Sequence, residues 1–232
     1  MLGRRQNEQA VRTTWSACSA LLRYPSEQLV AALPAIREAL DETGGRDRRE
    51  LLEMIDRWSQ TPLTELQERY VEVFDLGKRA ALHVSWHQYG DRRQRGIVLL
   101  KLKRRYQEFG LSPIEDELPD WLPLMLEFAA AAPSPEGVSL LQEWRAAIEL
   151  IRRTLHEEEC DHAVVLDAIS ATLPKLGADI GVAVEKLVAE GPPGDEVGLE
   201  PFGPDNEFPP SGFETPDWSA PEQPSCAQGA MR

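Results

Sequence analysis

Cysteine is scarce: the 232 residues contain three, Cys18, Cys160 and Cys226. Thiols so few and so scattered exclude a disulfide framework and a thiolate-built metal site. No apolar run approaches the ~18 residues that a membrane-spanning helix needs. Arg4-Arg5 is followed by no apolar stretch before Trp15 and is therefore not an export signal, so a cytoplasmic chain is expected. The phosphate cradles G-x-G-x-x-G and G-x-x-x-x-G-K-[ST] are missing, and so is the G-x-S-x-G nucleophile elbow. Strand-helix alternation is absent, as is any repeat of 20–50 residues (the range typical of repeat folds). Basic residues are in deficit, 25 against 39 acidic, for a net charge of −14. That balance argues against a general nucleic-acid binder, whose affinity comes from neutralising phosphates.

The charge that is present is unevenly placed. Residues 191–232 hold eight acids, one arginine, nine prolines and six glycines. Such a stretch cannot bury enough surface to offset its ordering entropy, and it reads as a disordered acidic tail behind a folded domain at 1–190. Within that domain, residues 78–105 carry nine Lys/Arg and one acid, Asp91, whereas 108–127 carry six acids and no base. Two solvated helix faces of opposite sign would explain this. So would an acidic recognition surface braced by a basic helix.

What fills the domain is helical patterning. Val11, Trp15, Cys18 and Leu22 share one face of a first helix, which Pro25 stops. Ser26 can cap a second, with Pro34 interrupting or kinking it and Gly44-Gly45 closing it. Leu51, Leu52, Ile55 and Trp58 mark a third, and Thr61-Pro62 is a cap-and-N1 start for a fourth. Residues 78–89 fit an irregular loop or short helix. Val98, Leu99, Leu102, Tyr106 and Phe109 line one side of a basic helix that Gly110 should terminate. A compact apolar helix then runs to about Ala132. Another starts at Ser134-Pro135, with Leu141, Trp144, Ile148, Ile151 and Leu155 in heptad spacing, and a last helix or pair spans about 162–190 with breaks at Pro174 and Gly177. The expected fold is a single all-α domain of about seven to nine helices.

Candidate chemistry is thin. His83 and His87 stand four apart, but Val84 occupies the place of the glutamate that helical zinc sites carry, so a surface histidine and a half-buried hydrogen-bonder are expected. Cys160-Asp161-His162 could form a reactive thiolate, although such a trio in a helix linker is usually inert. No pocket-forming acid pair is evident, and the chain is read as a binding protein and not an enzyme. The densest feature is 117–128, where Leu118, Trp121, Leu122, Leu124, Met125 and Phe128 alternate with Glu117, Asp120 and Glu127. Carboxylates among Trp, Leu and Met suit a groove for a basic amphipathic peptide. An alternative is a regulatory or nucleic-acid-binding adaptor working through the basic helix 91–105.

Three segments in order, Tyr70-Val-Glu-Val-Phe74-Asp75-Leu-Gly, His87-Gln-Tyr-Gly90-Asp91-Arg-Arg93-Gln-Arg95-Gly96 and Glu117-Leu-Pro-Asp120-Trp-Leu-Pro-Leu-Met-Leu-Glu127-Phe128, resemble the NarJ-type nitrate reductase assembly chaperones of the TorD-like redox-enzyme maturation group. The resemblance covers residues 70–128 and departs from the family at Trp86 and Tyr89, where an acid and a second histidine are common. It implies an all-helical cytoplasmic chaperone with no cofactor of its own and no direct membrane insertion. Its partner would be the catalytic (alpha) subunit of respiratory nitrate reductase, bound through its N-terminal peptide. That subunit would be held competent for insertion of the molybdenum bis-guanine dinucleotide cofactor before membrane docking. Combined with the residue pattern, the client helix is expected to lie on Leu118, Trp121, Leu124 and Phe128, its cations facing Glu117 and Asp120. Asp75, His87, Arg93 and Arg95 are expected to hold the 75–96 loop against that groove.

Overall fold

Helix-forming patterning persists along nearly the whole of the domain, and the computed structural model, which describes residues 2–43, 49–77, 79–111 and 117–191, turns it into eleven α-helices and one π-helical turn among those residues. The helices are α1 (Leu2–Leu21), α2 (Glu27–Thr43), α3 (Arg49–Trp58), α4 (Leu63–Tyr70), α5 (Trp86–Tyr89), α6 (Arg93–Glu108), α7 (Leu122–Ala131), α8 (Glu136–Glu143), α9 (Arg145–Glu157), α10 (Ala163–Thr172) and α11 (Ala178–Glu190). The π-helical turn Val71–Asp75 extends α4. No strand occurs among the described residues, only an isolated antiparallel bridge between His83 and Trp121. The Gly44-Gly45 stop, the acidic loop residues 112–116 and the tail from 192 onward lie outside the described residues.

The fold class is the expected one, with more helices than the seven to nine anticipated, because one pattern divides and a short helix forms within the irregular stretch 78–89. The heptad run from Ser134 breaks at Trp144, whose φ of −101° and ψ of 13° end α8 and start α9. The four-residue α5 is the second addition. Conversely, α2 runs unbroken through Pro34. Thr61 does not cap α4: its hydroxyl donates to the Arg57 carbonyl at 3.0 Å, and Pro62 holds the cap position. Ser26 does accept from the Leu29 N–H at 3.2 Å, at the start of α2. Gly110, at φ 72°, ends α6, with the Leu111 N–H returning to the Tyr106 carbonyl at 3.0 Å, the six-to-one bond of a Schellman close.

One continuous apolar core runs through the bundle. Trp15, Cys18, Leu21 and Leu22 enter it from the end of α1, as the first periodicity requires. Against α1 lies α7, buried on nearly all sides through Leu122, Pro123, Met125, Leu126, Phe128 and Ala129. Two polar fasteners fix this pair. Arg12 donates from Nη1 to the Ala130 carbonyl and from Nη2 to that of Ala132, both at 2.7 Å, satisfying acceptors at the end of α7 that no helical N–H reaches. Ser19 donates to the Pro123 carbonyl at 2.8 Å at the other end.

These bonds predict that Arg12→Ala lowers unfolding free energy by about 1.5–3 kcal/mol, the worth of hydrogen bonds to a charged group. Urea denaturation checks this; a loss within error of zero would mean that α7 is held by its apolar packing alone.

Candidate functional site

Two of the three motif segments, 87–96 and 117–128, meet at the Asp120 side chain together with residues 83–85. Residues 82–84 lie beside 120–122, with the Val84 N–H donating to the Asp120 carbonyl at 3.0 Å and the Leu122 N–H to that of Leu82 at 2.9 Å. The Tyr106 hydroxyl of α6 donates to the Pro119 carbonyl at 2.7 Å. Inside this frame the Asp120 carboxylate has no exposed surface. Its Oδ1 accepts from His83 Nδ1 at 3.1 Å; its Oδ2 accepts from the Ser85 hydroxyl and from Arg95 Nη2 at 3.2 Å. Arg95 also donates from Nε to Ser85 Oγ at 3.2 Å and lies 5.8 Å above the Trp86 ring. Burial alone would raise the Asp120 pKa, but the hydrogen bonds from His83 and Ser85, with the charge of Arg95, outweigh it and hold the carboxyl below its ordinary value.

This geometry corrects several expectations. Asp120 does not face a partner's cations: all of its acceptor capacity is turned inward, and it ties the loop, α6 and the start of α7 together. Phe128 is likewise buried, its ring tilted against Tyr106 at 4.7 Å and edge-to-face with Phe109 at 5.7 Å. His87 is in the core, donating from Nε2 to the Ala81 carbonyl at 2.8 Å, and burial pushes its pKa down. His83 and His87 do not share a helix face, since His83 sits in the β-bridge before α5 begins. Asp75 and Arg93 are exposed, and neither side chain makes a hydrogen bond or ion pair with another of the described residues. Cys160 is buried and its thiol pushed up in pKa by that burial, which removes the reactive-thiolate option.

The surface left by this packing is apolar and acidic. Leu118 is 42% exposed, while Glu117, Trp121 and Leu124 are half-buried. The Arg23 guanidinium covers the Trp121 ring at 5.1 Å and binds Glu127 at 2.6 Å. Next to Arg23 stands Tyr24, 48% exposed, its ring 5.4 Å from Tyr70. Tyr70 joins the two halves of the face. Its buried hydroxyl donates to the Leu22 carbonyl at 3.2 Å, and its pKa is raised first by burial, then by Asp75 and Glu117, with Arg23 opposing. Beyond it lies a shallow groove lined by Tyr24, Glu68, Val71, Glu72 and Leu76, the last 74% exposed.

Sequence reasoning missed Tyr24, Leu76, Glu68 and Glu72 as members of this surface. Leu76 was legible in principle, being the apolar residue squeezed between the helix end and Gly77. A Cβ at Gly77 would stand 2.2 Å from the Val73 carbonyl oxygen, so glycine is required there and the chain turns off at once, leaving Leu76 outside. Tyr24 reaches the face only through tertiary contacts of residues 22–25, after the end of α1, with Gln67 and Tyr70 of α4, for which the sequence carries no local signal. No three His, Cys, Asp or Glu side chains among the described residues are grouped so as to hold a metal ion.

Fold and face together define a structural class: an all-helical protein carrying an apolar strip edged by carboxylates, braced from beneath by a buried aspartate. Comparison with known proteins gives the family. Residues 37–158 match the model described as nitrate reductase delta subunit, and this chain belongs to that family. It is 38% identical over 165 residues to the Bacillus subtilis (strain 168) protein named "Probable nitrate reductase molybdenum cofactor assembly chaperone NarJ", covering 71% of this chain and 90% of that one. With the Escherichia coli (strain K12) "Nitrate reductase molybdenum cofactor assembly chaperone NarJ" it shares 30% identity over 176 residues, 74% of each chain. A Mycobacterium tuberculosis (strain H37Rv) "Nitrate reductase-like protein NarX" is 31% identical over 70% of this chain, which spans 24% of that longer protein.

Removing one partner of a buried ion pair costs about 3–5 kcal/mol, and Asp120→Ala is expected to lose that much. Asp120→Asn should lose less, because an amide still accepts from Ser85. The pH dependence has a definite sign. A carboxyl whose pKa is depressed by folding stabilises fully above the unfolded value of about 3.9 and stops doing so as pH falls through the folded value. The stability gap between wild type and Asp120→Asn should therefore narrow below about pH 4; a gap that stays constant into strong acid, measured by urea melts, would contradict the ion-pair assignment.

Proposed function

We propose that this chain is an assembly chaperone for a respiratory nitrate reductase. It binds the N-terminal region of the apo catalytic subunit and keeps that subunit competent for molybdenum bis-guanine dinucleotide insertion before membrane docking. It acts in the cytoplasm, without a cofactor and without catalysis, through the domain at 1–190, to which 191–232 is an appended acidic segment. The names of its Bacillus and Escherichia relatives support the client class. The observation that carries the mode of binding is the set of exposed Leu118, Tyr24 and Leu76 with half-buried Trp121, accompanied by Glu117, Glu68 and Glu72.

An amphipathic client helix would lay its apolar side on Leu118, Trp121, Leu124, Leu76 and Tyr24, removing from water side chains that a protein has no folding reason to leave out. Its basic residues would meet the flanking carboxylates, which select the sign of the partner and speed its encounter. Asp120 and Phe128 act one layer down in this scheme, fixing the position of the Trp121 backbone, and Arg95 and His87 brace the loop that carries the bridge. Among the described residues no helix is long and apolar enough to cross a membrane.

The test is calorimetric titration with a synthetic peptide of the client subunit's N-terminal segment. Leu118→Glu and Trp121→Ala should each weaken binding about tenfold or more, as truncation of a central apolar anchor does. Affinity should also fall between low salt and about 0.5 M salt, where the Debye length shrinks to a few ångströms. Wild-type affinity in both variants would place the peptide elsewhere, and salt-independent binding would remove the carboxylates from the account.

A further inference from the structure

Away from the client face, two large apolar side chains are left in water one helical turn apart: Ile97, 52% exposed, and Leu100, 61% exposed, both on α6. At 100° per residue, Arg93, Ile97, Leu100 and Arg104 fall on one outward stripe, on the side opposite the buried Leu102 and Tyr106. All four are exposed, and so are Lys101 and Lys103, which border the stripe on its two sides. Gly96 lies at its edge, where an added Cβ would meet nothing within 4 Å, so the backbone beside the apolar pair is bare.

The cations of this stripe have no partners within the domain. Arg95 is turned inward to Asp120, and Arg105 binds Glu136 and Glu143. By contrast, the side chains of Arg93, Lys101, Lys103 and Arg104 make no hydrogen bond or ion pair with another of the described residues. The nearest acids in sequence stand at the two ends, Asp91 before the helix and Glu108 at its last position.

Size and charge decide what such a face can hold. A stable protein–protein contact buries roughly 1,200–2,000 Å² around a desolvated apolar centre, which two side chains on a convex helix do not supply. A second copy of this chain, meeting it face to face, would bring the same four cations against these. An anionic bilayer suits both properties. Its headgroups attract each nearby Lys or Arg, and the apolar pair need dip only to the headgroup–acyl boundary while the long basic side chains reach back to the phosphates.

We propose that α6 is a peripheral membrane contact, lying in the plane of an anionic lipid surface with Ile97 and Leu100 in the headgroup layer and Arg93, Lys101, Lys103 and Arg104 on lipid phosphates. No segment crosses the bilayer in this arrangement. With a net charge of −14 the chain as a whole is repelled by such a surface, so binding requires that the basic segment, nine Lys/Arg against one acid in 78–105, be the part presented. The lipid contact does not rest on the client reading above.

Cosedimentation of the full chain with vesicles tests this. Vesicles of phosphatidylcholine and phosphatidylglycerol in equal parts should carry the protein down at low salt, and about 0.5 M salt should release it. Vesicles of phosphatidylcholine alone should leave it in solution. Arg93→Gln/Arg104→Gln should weaken the binding about tenfold or more, the effect of removing two cations from an anionic surface. Ile97→Ser/Leu100→Ser should weaken it by about as much, through lost apolar burial. All four positions are exposed, so both double variants should keep the wild-type circular dichroism and urea midpoint. Leu118→Glu should bind vesicles as the wild type does. Failure to sediment with the mixed vesicles overturns the proposal, and so does equal binding to the neutral ones. Wild-type binding by either double variant removes the contact from α6, and loss of binding in Leu118→Glu moves it to the client face; each overturns the proposal. A glutamate-rich helical peptide that binds these positions when vesicles do not overturns it in favour of an acidic protein partner.

Discussion

A carboxylate taken fully out of water must be compensated by hydrogen bonds and opposite charge or it is neutralised, and Asp120 meets that demand by collecting three donors from two places in the chain. His83 and Ser85 come from an irregular loop, Arg95 from the first turn of α6, and the acid itself from the approach to α7. Each donor is thereby fixed relative to the others. The loop between the π-helical turn and α5 has little regular hydrogen bonding of its own, and the bridge at His83 and Trp121 is the main ladder it possesses. Ordering it therefore depends on a charge that cannot be left unpaired.

The segment from Glu117 to Phe128 consequently does two jobs on two sides. Its inner side, Asp120, Leu122, Met125, Leu126 and Phe128, belongs to the frame and the core; its outer side, Leu118, Trp121 and Leu124, borders solvent. Rigidity on the inside is what gives the outside a defined shape. A surface presented by a frayed helix end would have to be ordered at the moment of association, and that entropy would be subtracted from affinity. Here the Trp121 ring is held by Arg23 above it and by the bridge through its own backbone.

Much of the helical frame was legible because it rests on local rules: the face of Trp15, Cys18 and Leu22, the glycine close at Gly110, the breaks at Pro174 and Gly177. The division at Trp144 was not, since the apolar spacing continues across it and only the packing of two separate helices reveals the change of direction. For the face, the apolar-acidic composition of 117–128 pointed to the right segment. It could not say which acid faces in. Asp120 and Glu117 differ by three residues and are chemically alike, and their fates are decided by Arg95 and His83, which are distant in sequence. Tyr24 and Leu76 join by tertiary contact alone.

The π-helical turn at 71–75 has its own consequence. There the Leu76 N–H reaches back five residues to the Val71 carbonyl at 3.0 Å instead of four, so the turn holds one residue more than an α-helix would use. Val73 and Phe74 point into the core while Asp75 and Leu76 emerge on the surface. Deleting any one residue from this turn would give a more regular helix and would swing everything after it by about 100°. The segment is thus constrained in length more strictly than in composition: side chains there can change one at a time, but the count of peptide units between Tyr70 and Gly77 sets which of them meet water.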